Sequence, residues 1–201
     1  IMMGSEGCFG ILTEVTLKVF NLSKKHKKFS FMFPTWEDGM AVMREVMQGE
    51  FGHPSAFRLS DAEETDMMSH MYGIIGSPLE PLLAAKGYKQ HSRCLLLGFC
   101  DGESGLQRNI YRNIRKIARK YHGLYLTGYV TTSWEHGRFS DPYLRDTIQD
   151  YGIIIDTLEC AVNWDNMPKV HDEVRKVVKA WPNAICTCHI SHSYPQGANL
   201  Y

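Results

Sequence analysis

The sequence lacks several features that would place it in a class at once. It carries no net formal charge, because 22 Lys and Arg balance 22 Asp and Glu, and so it has no general attraction to nucleic acid or to an anionic membrane. Its longest apolar runs, such as Cys94–Cys100, fall far short of the ~20 residues of a membrane-spanning helix. It has no tract of biased composition, and 44% of its residues are hydrophobic. We therefore predict a folded protein with a substantial buried core.

Cysteine is scarce and scattered. The six cysteines lie at positions 8, 94, 100, 160, 186 and 188, with no CxxC pair and no disulfide-dense spacing. There is also no basic and apolar leader after Ile1, and together these features predict reduced thiols in an intracellular, cytoplasmic protein. Peripheral association with a membrane stays open. The stretch Cys186–His192 has residue types that suit zinc, but on a strand Cys186 and Cys188 face one side while His189 faces the other, so we predict no metal site.

The two ends of the chain indicate a piece of a longer protein. The chain opens at Ile1 rather than at an initiator methionine. It stops at Tyr201 inside a predicted strand, which would leave backbone donors and acceptors unpaired.

Strand and helix signals alternate along the chain. β-rich stretches predict strands over Ile11–Val19, Phe29–Phe33, Ala56–Leu59, Cys94–Cys100, Leu124–Tyr129, Ile153–Cys160 and Ala184–His189. Helical spacing predicts helices from Thr35 to Gly49, after Ser60 or Asp61, from Ser104 to Gly123, after Pro142, and from Asn163 or Asp165 to Trp181. The irregular stretch Gly73–Tyr88 is predicted to be a long loop. This order predicts an α+β fold in which two ferredoxin-like halves form a mainly antiparallel sheet with helices on one face.

Basic residues cluster in Lys24–Lys28 and along the helix that follows Ser104. The helix face holds Arg108, Arg112, Arg115, Lys116, Arg119 and Lys120. Such clusters can contact phosphates of nucleic acid, but no strand has the aromatic pattern of an RNA-binding sheet, and acidic residues elsewhere cancel the charge. We therefore predict solvated surface and no nucleic-acid partner. A non-catalytic ferredoxin-like module that binds RNA or a small effector is the alternative from another functional class.

Three glycines punctuate the segment Gly4-Ser5-Glu6-Gly7-Cys8-Phe9-Gly10. Backbone N–H groups beside such glycines can approach a phosphate closely. The spacing matches neither a Walker loop nor the Rossmann fingerprint, and a strand rather than a helix is predicted to follow. On its own the segment is more typical of a plain turn.

Two arginines are candidate anchors for an anion. Arg58 and Arg145 carry planar guanidinium groups, which bind a carboxylate or phosphate through two hydrogen bonds. The alternative for each is an ion pair within the chain, Arg58 with Asp61 or Arg145 with Asp146.

Two tyrosines near the end of the chain are candidates for acid or base chemistry. Tyr194 and Tyr201 flank Pro195–Asn199, and either phenol could exchange a proton with a substrate if its pKa were lowered. A tyrosine on a strand more often packs against its neighbours. The residues alone thus predict an α+β protein with a candidate anion pocket, and they name no reaction.

Several of these segments together resemble a known enzyme family. Residues 4–18, GSEGCFGILTEVTLK, resemble the GSEGTLGIITEVTLK segment of FAD-linked oxidases of the vanillyl-alcohol oxidase superfamily. Later landmarks occur in the order seen in the alkyldihydroxyacetonephosphate synthases and their bacterial relatives; they are Ser55–Asp61, Pro142–Asp146, Asp156–Glu159 with Trp164-Asp165, and Ser193–Tyr201. The chain departs from this pattern at Cys8-Phe9, where Thr-Leu is usual, and at Pro195-Gln196, where animal synthases have Asp-Ala.

The resemblance implies a division of the chain and a set of residue roles. Residues 1–22 would be the last segment of an FAD-binding domain, and residues 23–201 a substrate-binding cap domain that is truncated at its C-terminus. The residues lining FAD would be Glu6, Gly7, Cys8, Phe9, Gly10, Ile11 and Leu12. Arg58 and Arg145 would hold a small anionic substrate, and Tyr201 would be the catalytic tyrosine that exchanges a proton with the substrate carbon.

The resemblance also implies a cofactor, a partner and two competing reactions. FAD would belong to the full-length enzyme, whose N-terminal FAD-binding half would be the partner of this chain; a homodimer stays open. This chain alone would be inactive and would not retain FAD, because a short peptide edge cannot offset the cost of immobilising so large a cofactor. The landmarks favour alkyl-for-acyl exchange on a dihydroxyacetone phosphate ester, a step in ether-lipid synthesis. The alternative is oxidation of a 2-hydroxy acid such as D-lactate or glycolate.

Overall fold

The structure is a computed structural model that describes residues 5, 7–23, 26–139 and 142–201. The first part of the chain forms β1 (Lys27–Phe33), α1 (Trp36–Met47), β2 (Ala56–Ser60), α2 (Ala62–Met71), α3 (Leu79–Ala85), β3 (Cys94–Cys100), α4 (Ser104–Lys120) and β4 (Leu124–Tyr125). The second part forms α5 (Tyr129–Gly137), α6 (Pro142–Gln149), β5 (Cys160–Asn163), α7 (Met167–Lys179), β6 (His189–Ser193) and β7 (Gly197–Leu200). None of the helices in these described ranges is long and apolar enough to cross a bilayer.

The described strands form one antiparallel sheet with the order β4-β1-β3-β2-β6-β7-β5. Strands β1 to β4 with α1 and α4 follow the βαββαβ order of a ferredoxin-like unit, and α2 and α3 are inserted between β2 and β3. The elements β5, α7, β6 and β7 repeat the first four elements of that order, and β6-β7-β5 lie side by side as β2-β3-β1 do. The predicted α+β fold with an antiparallel sheet is therefore confirmed.

Side chains alternate along β1 between two faces of the sheet. Phe29, Phe31 and Phe33 lie in the core with α1 and α4, and the ring centroid of Phe29 is 6.3 Å from that of Tyr111 on α4. Ser30 points the other way, and its hydroxyl lies 2.9 Å from that of Thr131 on α5. Helix α5 thus lies on the face opposite to α1 and α4, in addition to the predicted helical layer.

Helix α1 forms where its spacing and cap predict it. Thr35 is the N-cap, and its hydroxyl accepts a 3.2 Å hydrogen bond from the backbone N–H of Asp38. Met40, Met43 and Met47 follow at helical spacing and are buried. The predicted helix from Thr35 is confirmed.

The predicted strand Ile11–Val19 is wrong. Residues 10–23 form neither helix nor strand, and Val15, Leu17 and Val19 are 60%, 73% and 84% exposed. A strand needs a neighbour that pairs with its backbone N–H and C=O groups. The β-rich composition of this segment therefore indicates a strand only where another chain segment supplies that neighbour.

Two other predicted strands lie later in the chain than their apolar runs. β5 begins at Cys160 rather than at Ile153, and β6 begins at His189 rather than at Ala184. Pairing decides both positions, since β7 lies between β5 and β6 and Leu200 is paired across to Cys160. Apolar composition alone does not specify these partners.

Two predicted irregular or extended stretches contain helices. Gly73–Tyr88 holds α3, which buries Leu83. The predicted strand Leu124–Tyr129 is reduced to the two residues of β4, and α5 begins at Tyr129.

Gly98 permits the close packing at the centre of the sheet. It lies in β3 opposite Phe29 and Phe57, and a Cβ there would lie 2.2 Å from the carbonyl oxygen of Ala56. We expect Gly98→Ala to lower the free energy of unfolding by about 1–3 kcal/mol, measured by urea denaturation. Gly105→Ala in α4 is the control, because a Cβ there meets no atom within 4 Å. At the second residue of the helix, this change should leave the free energy of unfolding the same or raise it by up to about 0.5 kcal/mol. Equal stability of the two variants would contradict this account.

Candidate active site

The sheet face opposite to α1 and α4 brings Arg58 and Tyr201 together. The two neighbours of Arg58 in β2 are buried in the core, so its own side chain points to this opposite face. Ser60, two residues further on, is paired with His189 of β6. His189 and Tyr201 exchange two backbone hydrogen bonds of 2.9 Å each. Because directly paired residues share a face, Arg58, His189 and Tyr201 lie on the same side of the sheet.

Glu64 joins Arg58 to His189. Asp61 caps α2 by accepting a 2.9 Å hydrogen bond from the backbone N–H of Glu64, and this first turn places the Glu64 side chain beside β2. Oε1 of Glu64 accepts a 2.6 Å hydrogen bond from Nη2 of Arg58 and lies 3.4 Å from Nδ1 of His189. Burial alone would raise the pKa of Glu64, but the contact with His189 and the positive charge of Arg58 outweigh it and leave that pKa below its usual value. The site therefore contains a buried carboxylate at neutral pH.

Tyr201 continues this series of contacts toward solvent. Its ring centroid lies 4.8 Å from that of His189, with the two ring planes at 32°. The side chains of Arg58, Glu64 and His189 are only 16%, 9% and 14% exposed, whereas Tyr201 is 42% exposed. These four residues, called here the Arg58–Tyr201 cluster, run from a buried ion pair to an accessible phenol.

Two buried atoms of the cluster lack a hydrogen-bond partner among the described residues. They are Nε of Arg58 and Oε2 of Glu64. Buried polar atoms without a partner are rare in native proteins and often mark a position where a water or a ligand binds. One of these atoms is a donor and the other an acceptor, and both are buried.

The ion-pair partner of Arg58 is Glu64 and not Asp61. Oδ2 of Asp61 instead accepts a 2.6 Å hydrogen bond from Arg175 of α7. Arg175 also donates a 2.7 Å hydrogen bond to Glu63. This network fastens α7 to the start of α2 and so supports the turn that carries Glu64.

Arg145 is not part of the contacts described for the cluster. It lies exposed in α6, whereas Arg58 and Tyr201 lie on β2 and at the end of β7. The structure thus brings together two of the three residues to which the resemblance assigns substrate chemistry.

The segment predicted to line FAD is an exposed peptide. Glu6 lies outside the described residues, and residues 7–12 form no helix or strand. Gly7 has φ +82°, and no atom lies within 4 Å of the position that a Cβ would take. Phe9, Ile11 and Leu12 are 69%, 92% and 64% exposed. An accessible backbone flanked by exposed apolar side chains fits a segment that packs against a large flat cofactor, so these residues suit FAD; the contact itself stays a prediction.

Burial disfavours the thiolate form of the two cysteines near the end of the chain. Burial raises the pKa of Cys186 and of Cys188, which favours the protonated thiols. Within the described ranges, no group of three or more His, Cys, Asp and Glu side chains could hold a metal ion.

No sequence pattern identifies Glu64 and His189 as partners. Glu64 follows Asp61 by three residues, a spacing that indicates a helix start and nothing more. His189 is the last residue of the predicted strand Ala184–His189, and nothing in that strand pairs it with an acidic residue. Their contact depends on the pairing of β2 with β6, which joins distant parts of the chain.

Curated relatives share the whole length of this chain at low identity. It is 25% identical over 223 residues to an alkyldihydroxyacetonephosphate synthase of Caenorhabditis elegans, which covers 100% of this chain and 36% of that protein. It is 27% identical over 219 residues to the enzyme of the same name from Dictyostelium discoideum, covering 100% of this chain and 35% of that protein. An Escherichia coli strain K12 FAD-linked oxidoreductase, YgcU, is 24% identical over 215 residues, covering 100% of this chain and 40% of that protein. The chain thus spans between about a third and two fifths of the length of these relatives.

The fold and a family profile agree with these relatives. A solved structure of an alkyldihydroxyacetonephosphate synthase superposes with a TM-score of 0.78 at 24% identity and covers 98% of this chain and 38% of that one. At this identity the superposition shows the fold alone. The family described as FAD linked oxidases, C-terminal domain, matches residues 23–201. The chain therefore belongs to the C-terminal domain family of the FAD linked oxidases.

Proposed function

We propose that this chain is the substrate-binding domain of a FAD-dependent enzyme that acts as an alkyldihydroxyacetonephosphate synthase. Such an enzyme would replace the acyl group of a dihydroxyacetone phosphate ester with an alkyl group, without net redox change. The observation that carries the proposal is the Arg58–Tyr201 cluster, which gathers an arginine and an accessible phenol on one face of the sheet.

Each residue of the cluster has a separate task in this proposal. Arg58 would bind the anionic end of the substrate, because a guanidinium forms two hydrogen bonds to a phosphate or carboxylate. Tyr201 would exchange a proton with the substrate carbon, and its exposure leaves the phenol open to that carbon. Arg145 would supply a second positive charge to the anion.

FAD, when bound, would supply the redox-active ring against which the substrate is held. Glu6 and the exposed residues 7–12 would form one edge of its site, and the remainder would come from the FAD-binding half of the full-length protein. This chain alone would bind FAD weakly and be inactive, because so short an edge cannot offset the entropy lost by a large cofactor. Purification of the chain with near one equivalent of flavin absorbance would contradict this part of the proposal.

The second candidate function is oxidation of a 2-hydroxy acid, and one observation favours it. The charge of Arg58 is already compensated by Glu64 at 2.6 Å, and this carboxylate repels a dianionic phosphate more strongly than a carboxylate monoanion.

Flavin absorbance in the full-length protein separates the two functions. Under anaerobic conditions, D-lactate or glycolate should leave the flavin oxidised if the protein is a synthase, with L-lactate as the matched control. An acyl dihydroxyacetone phosphate and a long-chain alcohol should then yield the alkyl product, measured by mass spectrometry. Rapid bleaching by a D-2-hydroxy acid but not by its enantiomer would instead establish the oxidase and exclude the synthase.

A further inference from the structure

A histidine to which the proposed function assigns no task lies between Arg58 and Tyr201. The side chain of His189 is 14% exposed, and its Nδ1 lies 3.4 Å from Oε1 of Glu64. On its other side, the imidazole contacts the ring of Tyr201 with the centroids 4.8 Å apart. The imidazole thus lies between a buried carboxylate and an accessible phenol.

The carboxylate side of this arrangement is held firmly. The backbone N–H of Glu64 is bonded to Asp61, whose Oδ2 accepts a 2.6 Å hydrogen bond from Arg175 of α7. The next residue, Thr65, is buried, and its hydroxyl accepts a 3.0 Å hydrogen bond from the backbone N–H of Leu95 in β3. Glu64 is therefore tied to α7 and to the centre of the sheet.

The phenol side has fewer restraints. Tyr201 directly follows β7, and among the described residues nothing hydrogen-bonds its phenolic oxygen. In the described part of the chain, the ring of Tyr201 makes an aromatic contact with the imidazole of His189. The imidazole is thus one restraint on the direction in which the phenol points.

We infer that His189 is a positioning residue, which Glu64 holds in place and which in turn aims the phenol of Tyr201 toward the side of the sheet where Arg58 binds the anion. The negative charge 3.4 Å from Nδ1 favours the tautomer with a proton on Nδ1 and attracts that edge of the imidazole toward Glu64. The ring contact then limits rotation of the Tyr201 side chain. The same carboxylate binds Arg58, so one buried group sets the separation of the anion anchor and the phenol. This inference rests on the proposed function, in which Tyr201 exchanges a proton with the substrate.

The first test observes the phenol without any turnover. 3-Fluorotyrosine placed at position 201 of the full-length protein reports the surroundings of that ring through its 19F resonance. We expect His189→Ala to move this resonance toward the position of a solvent-exposed fluorotyrosine. His192→Ala is the matched control, because His192 is the other histidine of β6 and also neighbours a carboxylate, with Nδ1 4.0 Å from Oε1 of Glu159, but its side chain is 64% exposed. An unmoved resonance in His189→Ala would overturn the inference.

The second test separates positioning from binding. With the substrate that the flavin experiment identifies, His189→Ala should lower kcat by about 10- to 100-fold, the cost of a misplaced reacting group, and change KM less than about threefold. His192→Ala should change neither by more than about twofold. Glu64→Ala should move the 19F resonance as His189→Ala does, and because Glu64 also binds Arg58 it should change KM as well.

The outcomes of the two tests distinguish the inference from the function on which it rests. If neither substrate class reacts, the proposed function fails, and the 19F resonance alone decides whether His189 holds the phenol. If a substrate reacts and His189→Ala retains the kcat of the unmodified protein, the inference is wrong even when the proposed function stands. Where His189→Ala does not fold, His189→Asn replaces it, because asparagine keeps a donor toward Glu64 but loses the ring contact with Tyr201, and it should move the resonance in the same direction.

Discussion

Replacing Tyr201 with phenylalanine in the full-length enzyme is expected to lower kcat by about 10²–10⁴-fold, the usual contribution of a group that moves a proton in the transition state. The change removes only the phenolic oxygen, so the ring contact with His189 and the two backbone hydrogen bonds between these residues are retained. Substrate affinity should change little, because Arg58 supplies the charge that binds the anion. The measurement is steady-state turnover of the identified substrate, with kcat and KM determined separately.

Tyr194→Phe is the matched comparison for this prediction. Tyr194 lies just before β7 on the same hairpin, is 55% exposed, and has a phenol of the same intrinsic chemistry. It belongs to none of the contacts of the Arg58–Tyr201 cluster, and turnover should stay within about twofold of the unmodified enzyme. A large loss in Tyr194→Phe, with full activity in Tyr201→Phe, would contradict this prediction, because it would show that Tyr194 exchanges the proton.

Sequence patterns predict well those helices and strands whose caps and apolar residues lie within the element itself. The helix after Thr35 has a capping hydroxyl and a methionine stripe, and the strand Cys94–Cys100 is a continuous apolar run flanked by turns. In both cases the apolar residues that form the pattern are also the ones that are buried in the core, so the predicted and observed elements agree.

Elements that depend on a distant partner are predicted less well. Ile153–Ile155 has the composition of a strand, but these residues are exposed and β5 begins only at Cys160, where β7 pairs with it. The same reason applies to Ile11–Val19, which has the composition of a strand and no paired neighbour in the described residues. High β-propensity indicates that a segment can form a strand, but it does not identify the strand with which that segment pairs.

The residues of the candidate site likewise divide into those that a local motif identifies and those that only the pairing of distant strands brings together. Arg58 and Tyr201 stand out because they belong to motifs that resemble a known family. Glu64 and His189 belong to no such motif, and they meet only because β2 pairs with β6 and α2 starts directly after β2. Sequence reasoning pairs Arg58 with its nearest acidic neighbour, Asp61, whereas Asp61 caps α2 and binds Arg175.

The largest effect on stability is expected for Arg93→Met. Arg93 precedes β3 with 0% exposure, and it binds Asp66 of α2 at 3.3 Å and Glu80 of α3 at 3.1 Å. The two carboxylates are themselves only 12% and 14% exposed, so removing the guanidinium leaves two nearly buried negative charges without their cation. Breaking a buried ion pair from one side costs about 3–5 kcal/mol, and we expect a loss of that size in the free energy of unfolding, measured by urea denaturation.

Arg44→Met tests whether burial, rather than ion pairing in general, causes this loss. Arg44 pairs with Asp165 at 2.7 Å, which is shorter than either contact of Arg93, but the two side chains are 43% and 84% exposed. An exposed pair contributes about 0–1 kcal/mol because water and salt screen it. If both arginine variants lost the same stability, burial would not be the cause. A triple variant that combines Arg93→Met with Asp66→Leu and Glu80→Leu removes all three charges and should recover most of the loss, because the cost arises from the stranded carboxylates rather than from the missing arginine.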